Sequence, residues 1–144
     1  MQAFICSFSD FSLAVPMDAV LSLDDASGIV SKKEALLQNA VFRDPHGTYV
    51  CLPLLLRLAV RDMPHCIVLK KTENGEPGNI ILLSTKITGS DEIHDREICR
   101  LPKVLEGTGF YALFSGIRRM ENGAPLLMLD IAGLRRHIQK EGGN

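Results

Sequence analysis

The sequence predicts a mainly β protein that closes with a short C-terminal helix. Three observations carry that expectation. In the opening segments large apolar residues recur at every second position, the period at which successive strand side chains point to opposite faces. Apolar segments then come in pairs around short loops rich in Asp, Asn, Gly and Pro, and two of these loops contain Asn-Gly, whose ease with positive φ suits tight hairpins. The hairpins share a layout without a repeated sequence, and their regular spacing favours barrels or a sandwich over a parallel α/β sheet.

Residues 4–9 and 11–15 form the first pair, turning at Asp10. Pro16 ends the second run or places it at a sheet edge, and residues 20–23 resume an extended apolar pattern before a loop at 24–28. Residues 32–40 fit a short helix, with Ser31 as cap and Glu34 three positions on, but the segment is too short for the pattern to decide. Strand-like arms at 40–43 and 48–52 flank Asp44-Pro45-His46-Gly47, a second hairpin. Residues 65–71 and 79–85 flank a loop at 73–78, and residues 110–118 and 124–129 flank Met120-Glu121-Asn122-Gly123, giving the third and fourth. Asp130 can cap a last helix through about Gln139, with Ile131, Leu134 and Ile138 near one face and Gly142-Gly143 beyond its end.

A chain of 144 residues fits one domain, or two small intertwined subdomains, and at this size folding buries roughly 68–70% of the unfolded surface. With 46% apolar and 23% charged residues, the composition is that of an ordered globular chain. Sixteen Lys+Arg against seventeen Asp+Glu leave a formal charge of −1, so there is no long-range field to gather nucleic acid or an anionic membrane. The local clusters Arg118-Arg119 and Arg135-Arg136-His137 read as solvated strand-end and helix-end charge, with a small anionic partner surface as the other reading.

Cys6, Cys51, Cys66 and Cys99 are widely scattered, without the short paired spacing of zinc or redox motifs, and read as reduced core residues. No basic leader precedes Phe4, and the longest apolar runs, 51–56 and 80–83, fall far short of the ~20 residues of a membrane helix. The expected location is cytoplasmic, without direct membrane insertion. Nor is there a nucleophile-elbow, phosphate-loop or metalloprotease spacing. His94 and Cys99 read as a polar surface histidine beside a partly buried cysteine, since spacing alone does not activate a thiol. Asp24-Asp25 and Asp91-Glu92 sit in turn-like contexts where solvated acids are common, and Asp130 reads as a helix cap.

Several segments, taken in order, carry a resemblance. Residues 4–23 give an opening strand, hairpin and extended apolar stretch; Cys51-Leu52-Pro53-Leu54-Leu55-Leu56 is similar to a strand ending in Pro-Val-x-Asp-Leu; residues 65–69 and 80–87 give the next hairpin. Leu101-Pro102, then Tyr111 to Gly116-Ile117, parallel a Leu-Pro segment and a Tyr-x-x-Gly-hydrophobic strand, and Leu126-Leu127-Met128-Leu129-Asp130 is similar to a closing strand, aspartate and helix. Over nearly its whole length the chain thus resembles the CheW-like chemotaxis adaptor family.

The resemblance implies two small SH3-like five-stranded β-barrel subdomains with a short C-terminal helix, intertwined as one CheW-like domain over residues 1–139, and a flexible tail at 140–144. It implies a scaffold without catalysis or cofactor, whose partners are a histidine kinase regulatory domain and a chemoreceptor cytoplasmic tip. Residues after the second strand make such contacts in the family, which points to Val20, Leu21 and Leu23 here, although alternation alone also suits them to a barrel core. The family's Asn-Leu-Arg-Gly turn, whose arginine is implicated in receptor contact, is replaced by Arg43-Asp44-Pro45-His46-Gly47 in a longer loop, where Arg43 or His46 would substitute. Histidine lacks the planar donor fork of arginine, so a contact through His46 would differ in geometry and depend on pH. The family's Asp-Leu after the proline is also missing, Leu54-Leu55 standing there instead. Other readings are a divergent CheW-like scaffold with a non-chemotaxis partner and a small-molecule-binding β-barrel.

Overall fold

In the computed structural model, which describes residues 1–8, 11–26, 39–58, 63–71 and 78–141, the strands form two five-stranded sheets. The first contains β1 (Gln2–Phe8), β2 (Phe11–Pro16), β8 (Lys86–Glu92), β9 (Phe114–Arg119) and β10 (Pro125–Leu129), in the order β8-β1-β2-β10-β9. The second contains β3 (Val20–Asp25), β4 (Val41–Asp44), β5 (Gly47–Val50), β6 (His65–Leu69) and β7 (Asn79–Ser84), in the order β3-β6-β7-β5-β4. This is the mainly β architecture that the sequence predicts, in the two-subdomain SH3-like form that the resemblance implies. The second sheet comes from one continuous stretch, while the first draws strands from both sides of it.

All four hairpins form, pairing β1 with β2, β4 with β5, β6 with β7 and β9 with β10. Each sheet also holds one parallel pair, β2 with β10 and β5 with β7, which local hairpin signals could not reveal.

Side-chain alternation sorts the apolar residues into three clusters. Cys6, Leu13, Val15, Leu127 and Leu129 of the first sheet meet Val50, Ile67, Leu69, Ile80 and Leu82 of the second in a shared core. The opposite face of the first sheet buries Ala3, Ile5, Ala14, Leu126 and Met128, and that of the second buries Tyr49, Cys51, Cys66 and Leu83. Both sheets are therefore covered on both faces, which is why runs such as Ile80-Ile81-Leu82-Leu83 are continuously apolar.

Among the described residues, three α-helices with both ends in view join these layers: α1 (Leu52–Leu55), α2 (Gly109–Leu113) and α3 (Ile131–Glu141). Asp130 caps α3, its Oδ1 accepting from the Gly133 N–H at 3.1 Å, and Leu134 and Ile138 are fully buried in the shared core. The helix continues through Lys140 and Glu141, two residues assigned to a tail by sequence.

Five differences from the sequence expectation have local causes. The strand expected to reach Leu52 stops at Val50, since Pro53 has no N–H for a ladder. The arm expected from residue 110 begins with the helical turn α2, and the strand starts at Phe114. The single arm expected to end at Thr85, or at Ile87 by resemblance, gives way to two strands, and the second, β8, runs on to Glu92 as an exposed edge strand that carries no apolar alternation. The Asp24-Asp25 pair belongs to β3 rather than to a loop. Between β4 and β5 the turn is tight, since Asp44 pairs with Gly47 across Pro45-His46 and no longer loop exists. The turn at Asp10, the loop residues Ser27-Gly28, most of the 32–40 segment, the 73–77 part of the third loop and Gly142-Gly143 lie outside the described residues.

Candidate partner-binding site

Among the described residues β3 is a terminal strand of the second sheet, pairing on one side only, with β6. Its burial alternates: Val20 and Ser22 are half-buried, whereas Leu21 and Leu23 are 57% and 37% exposed. Val20 packs on the shared core, so the alternation splits the three apolar candidates into one inward residue and two outward ones. The register shifts between Val20 and Ser22, leaving Leu21 without a matched partner on β6. Two leucines facing solvent on an open strand edge make a surface of the kind used for protein contact. Asp24 and Asp25 follow on the same strand, both exposed, and add a polar rim with Ser22, whose hydroxyl donates to Asp24 Oδ2 at 3.0 Å.

Arg43, His46 and Gly47 lie at the other end of the strand order, on β4 and its turn. Asp44 holds that turn, its Oδ1 accepting the N–H groups of His46 at 2.7 Å and Gly47 at 3.2 Å. His46 is exposed, while Gly47 is buried and packs so tightly that a Cβ there would stand 2.4 Å from the Asn79 carbonyl oxygen. Arg43 reaches away from its turn and donates through Nη2 to the Ile138 carbonyl of α3 at 2.9 Å. Of the six predicted residues, Leu21 and Leu23 on β3 and Arg43 and His46 on β4 and its turn are exposed, at opposite ends of the strand order, while Val20 packs on the core and Gly47 is buried at the start of β5.

The remaining polar candidates resolve into structure. Asp91, expected to be solvated, accepts from Arg118 Nη2 at 2.8 Å, and Glu97 lies 3.8 Å from Nη1. The Arg118 side chain is only 13% exposed, so this ion pair ties edge strand β9 to edge strand β8. Bonds from Arg118 and from the Glu92 N–H hold the Asp91 carboxyl below the usual carboxylate range. No local pattern joins residues 27 positions apart, so this pairing had no sequence signal.

Three of the four cysteines are buried, as expected; Cys99 is exposed instead, bridging to Ile117 through backbone bonds on the surface. Burial pushes the Cys6 thiol up to about 12 and raises Cys51 as well, while Cys66 is raised first by burial and then by the charges of Asp24 and Asp25. His94 caps a short 3-10 turn, its N–H donating to Glu97 at 3.0 Å. Among the described residues no group of three or more His, Cys, Asp or Glu could hold a metal ion, and no helix is long and apolar enough to cross a membrane.

Two sheets sharing a core, with the second sheet inserted within the first, define a CheW-like fold. The chain matches the crystal structure of the scaffolding protein TtCheW from Thermoanaerobacter tengcongensis with a TM-score of 0.62, covering 90% of this chain and 88% of that one at 9% identity. No protein family and no curated protein matches the chain by sequence. The likeness is therefore one of fold.

Proposed function

We propose that the chain is a non-catalytic CheW-like scaffold acting in the cytoplasm, which links a chemoreceptor's cytoplasmic tip to the regulatory domain of a histidine kinase. One observation carries the reading: an outward-facing leucine pair stands on an open strand edge of a fold shared with a scaffolding protein. Val20, Leu21 and Leu23 form the kinase surface, with Val20 setting the strand and the two leucines supplying the contact. His46 supplies the receptor contact, Gly47 sets the close approach of its turn, and Arg43 contributes whatever donors remain beyond its bond to Ile138. Two surfaces on separate strands suit a bivalent adaptor, whose weak individual contacts gain from avidity in an array. The two subdomains act together over residues 1–139.

Isothermal titration with the kinase regulatory domain of the same organism tests this, using wild type and Leu21→Ser/Leu23→Ser. Fully burying a leucine contributes roughly 1.5–3 kcal/mol, so the exposed fractions of this pair together supply about 2 kcal/mol, or roughly 30-fold in Kd. Saturable binding weakened to that degree in the variant is the expected result. A folded wild-type protein that does not bind the kinase domain would rule out the chemotaxis partner.

A second reading keeps the scaffold and changes the partner. It is favoured by the turn itself, where Asp44 and the Arg43–Ile138 bond replace an Asn-Leu-Arg-Gly sequence.

A further inference from the structure

A groove runs between α2 and α3, remote in sequence from β3 and from the Asp44–Gly47 turn. Gly107, Thr108, Tyr111, Ala112, His137 and Lys140 line about 360 Å³ of it. A smaller cleft of about 110 Å³ shares Ala112, His137 and Lys140 and adds Gly133 and Arg136. The floor is set by close packing of the two helices, since a Cβ on Gly133 would stand 2.1 Å from the Ala112 carbonyl oxygen. No carboxylate lines either part, and Arg136 and Lys140, both exposed, make no ion pair among the described residues.

Cations in the last turns of a helix ordinarily compensate its C-terminal end, which is equivalent to about half a negative charge. Here Arg43 already donates to one carbonyl of that end, Ile138, at 2.9 Å. Arg136, a turn before the helix end, and Lys140, in its last turn, both line the groove.

Their spacing indicates the shape of the ligand. Residues four apart on a helix lie about 6 Å apart along its axis, close to the roughly 6.6–6.8 Å between alternate residues of an extended strand. A single phosphate needs donors that converge, whereas these are staggered. Tyr111, 42% exposed, and Ala112 form an apolar wall beside them.

We propose that this groove binds an acidic segment of a partner protein, in extended conformation, with carboxylates at alternate positions on Arg136 and Lys140 and an apolar or aromatic side chain against Tyr111. That the occupant is a protein rests on the scaffold reading above; the groove uses none of the residues assigned to the kinase or receptor surfaces.

Fluorescence anisotropy with a labelled octapeptide, bearing glutamates at alternate positions around a central phenylalanine, tests the proposal. Wild type is expected to bind saturably and more weakly as salt rises. Arg136→Gln/Lys140→Gln should lose at least tenfold in affinity, while Arg119→Gln, an exposed cation on β9, should stay within twofold. Equal binding of the same peptide with glutamine for glutamate would overturn the assignment. So would unchanged binding by the double variant with a native circular dichroism spectrum, or full displacement by equimolar inorganic phosphate. Titrating both proteins with the kinase domain separates the two claims: kinase binding kept by the double variant while its peptide binding is lost supports both, and wild-type peptide binding without any wild-type kinase binding retains the groove and removes the chemotaxis partner.

Discussion

Gly133→Ala sets two effects of opposite sign against each other. Gly133 is the third residue of α3, and in an unobstructed helix replacing glycine by alanine stabilises by about 1 kcal/mol. In this protein the new Cβ would stand 2.1 Å from the Ala112 carbonyl oxygen and 3.1 Å from Asp130 Oδ2. The nearer obstacle is backbone, which no rotamer change can move aside. Inserting a methyl into such packing costs roughly 1–3 kcal/mol, and a backbone obstacle places the cost at or above the upper end. Against the propensity gain, the net expectation is a loss of about 2 kcal/mol, or roughly 6 °C in Tm for a chain of this length. Ala132→Gly, at the exposed neighbouring position, provides the control, with an expected loss of about 1 kcal/mol from propensity alone. Urea and thermal unfolding of both variants would decide the matter. If Gly133→Ala raised the urea midpoint, α2 and α3 could not pack as closely as described, and the floor of the cationic groove would be wrong with them.

Three further expectations concern single groups. Arg57 follows α1 with φ 58°, in a Schellman arrangement where Leu58 N–H donates to the Pro53 carbonyl at 2.8 Å and Arg57 N–H to that of Leu54 at 3.1 Å; Arg57→Gly should stabilise by about 0.5 kcal/mol once the entropy gained by the unfolded chain is subtracted, seen as a small rise in Tm. With three thiols buried and their ionisation suppressed, iodoacetamide at pH 8 should modify Cys99 alone in the native protein and all four cysteines in urea, and mass spectrometry showing native labelling at Cys6 would contradict the packing. Because the folded pKa of Asp91 lies below its unfolded value of about 3.9, its contribution is fully present above that value and is lost as pH falls through the lowered one; the urea midpoints of wild type and Asp91→Asn should differ at pH 7 and converge in acid.

What was legible in the sequence follows from what is local. Hairpins announce themselves through turn chemistry and alternation, and the four expected ones are present. The capping role of Asp130 was equally readable, because the bond to Gly133 spans three residues. β8 escaped because an edge strand facing water needs no apolar face, and its acids then looked like turn residues. The Asp91–Arg118 pair and the two parallel ladders join distant segments, where no periodicity points. For the candidate surface, alternation left Val20, Leu21 and Leu23 suited to a core as well as to a contact, and their division into one inward and two outward residues depended on β6 and the shared core. Arg43 was named for its donors, and its use of one of them on Ile138 depends on a helix 95 residues further along the chain.

The insertion of the second sheet within the first has a consequence for how the molecule is made. Leu126 of β10 lies opposite Ser12 of β2, so the centre of the first sheet closes only when two segments more than a hundred residues apart come together. Such high contact order slows folding, because the entropy of closing the loop is lost before the contact repays it. On the ribosome, strands β3 to β7 all emerge before β8, so the second sheet can assemble while β1 and β2 wait as an unsatisfied hairpin with β2 exposed. That waiting hairpin, carrying Leu13 and Val15, is the part of the nascent chain most open to chaperone capture or to mispairing with another copy.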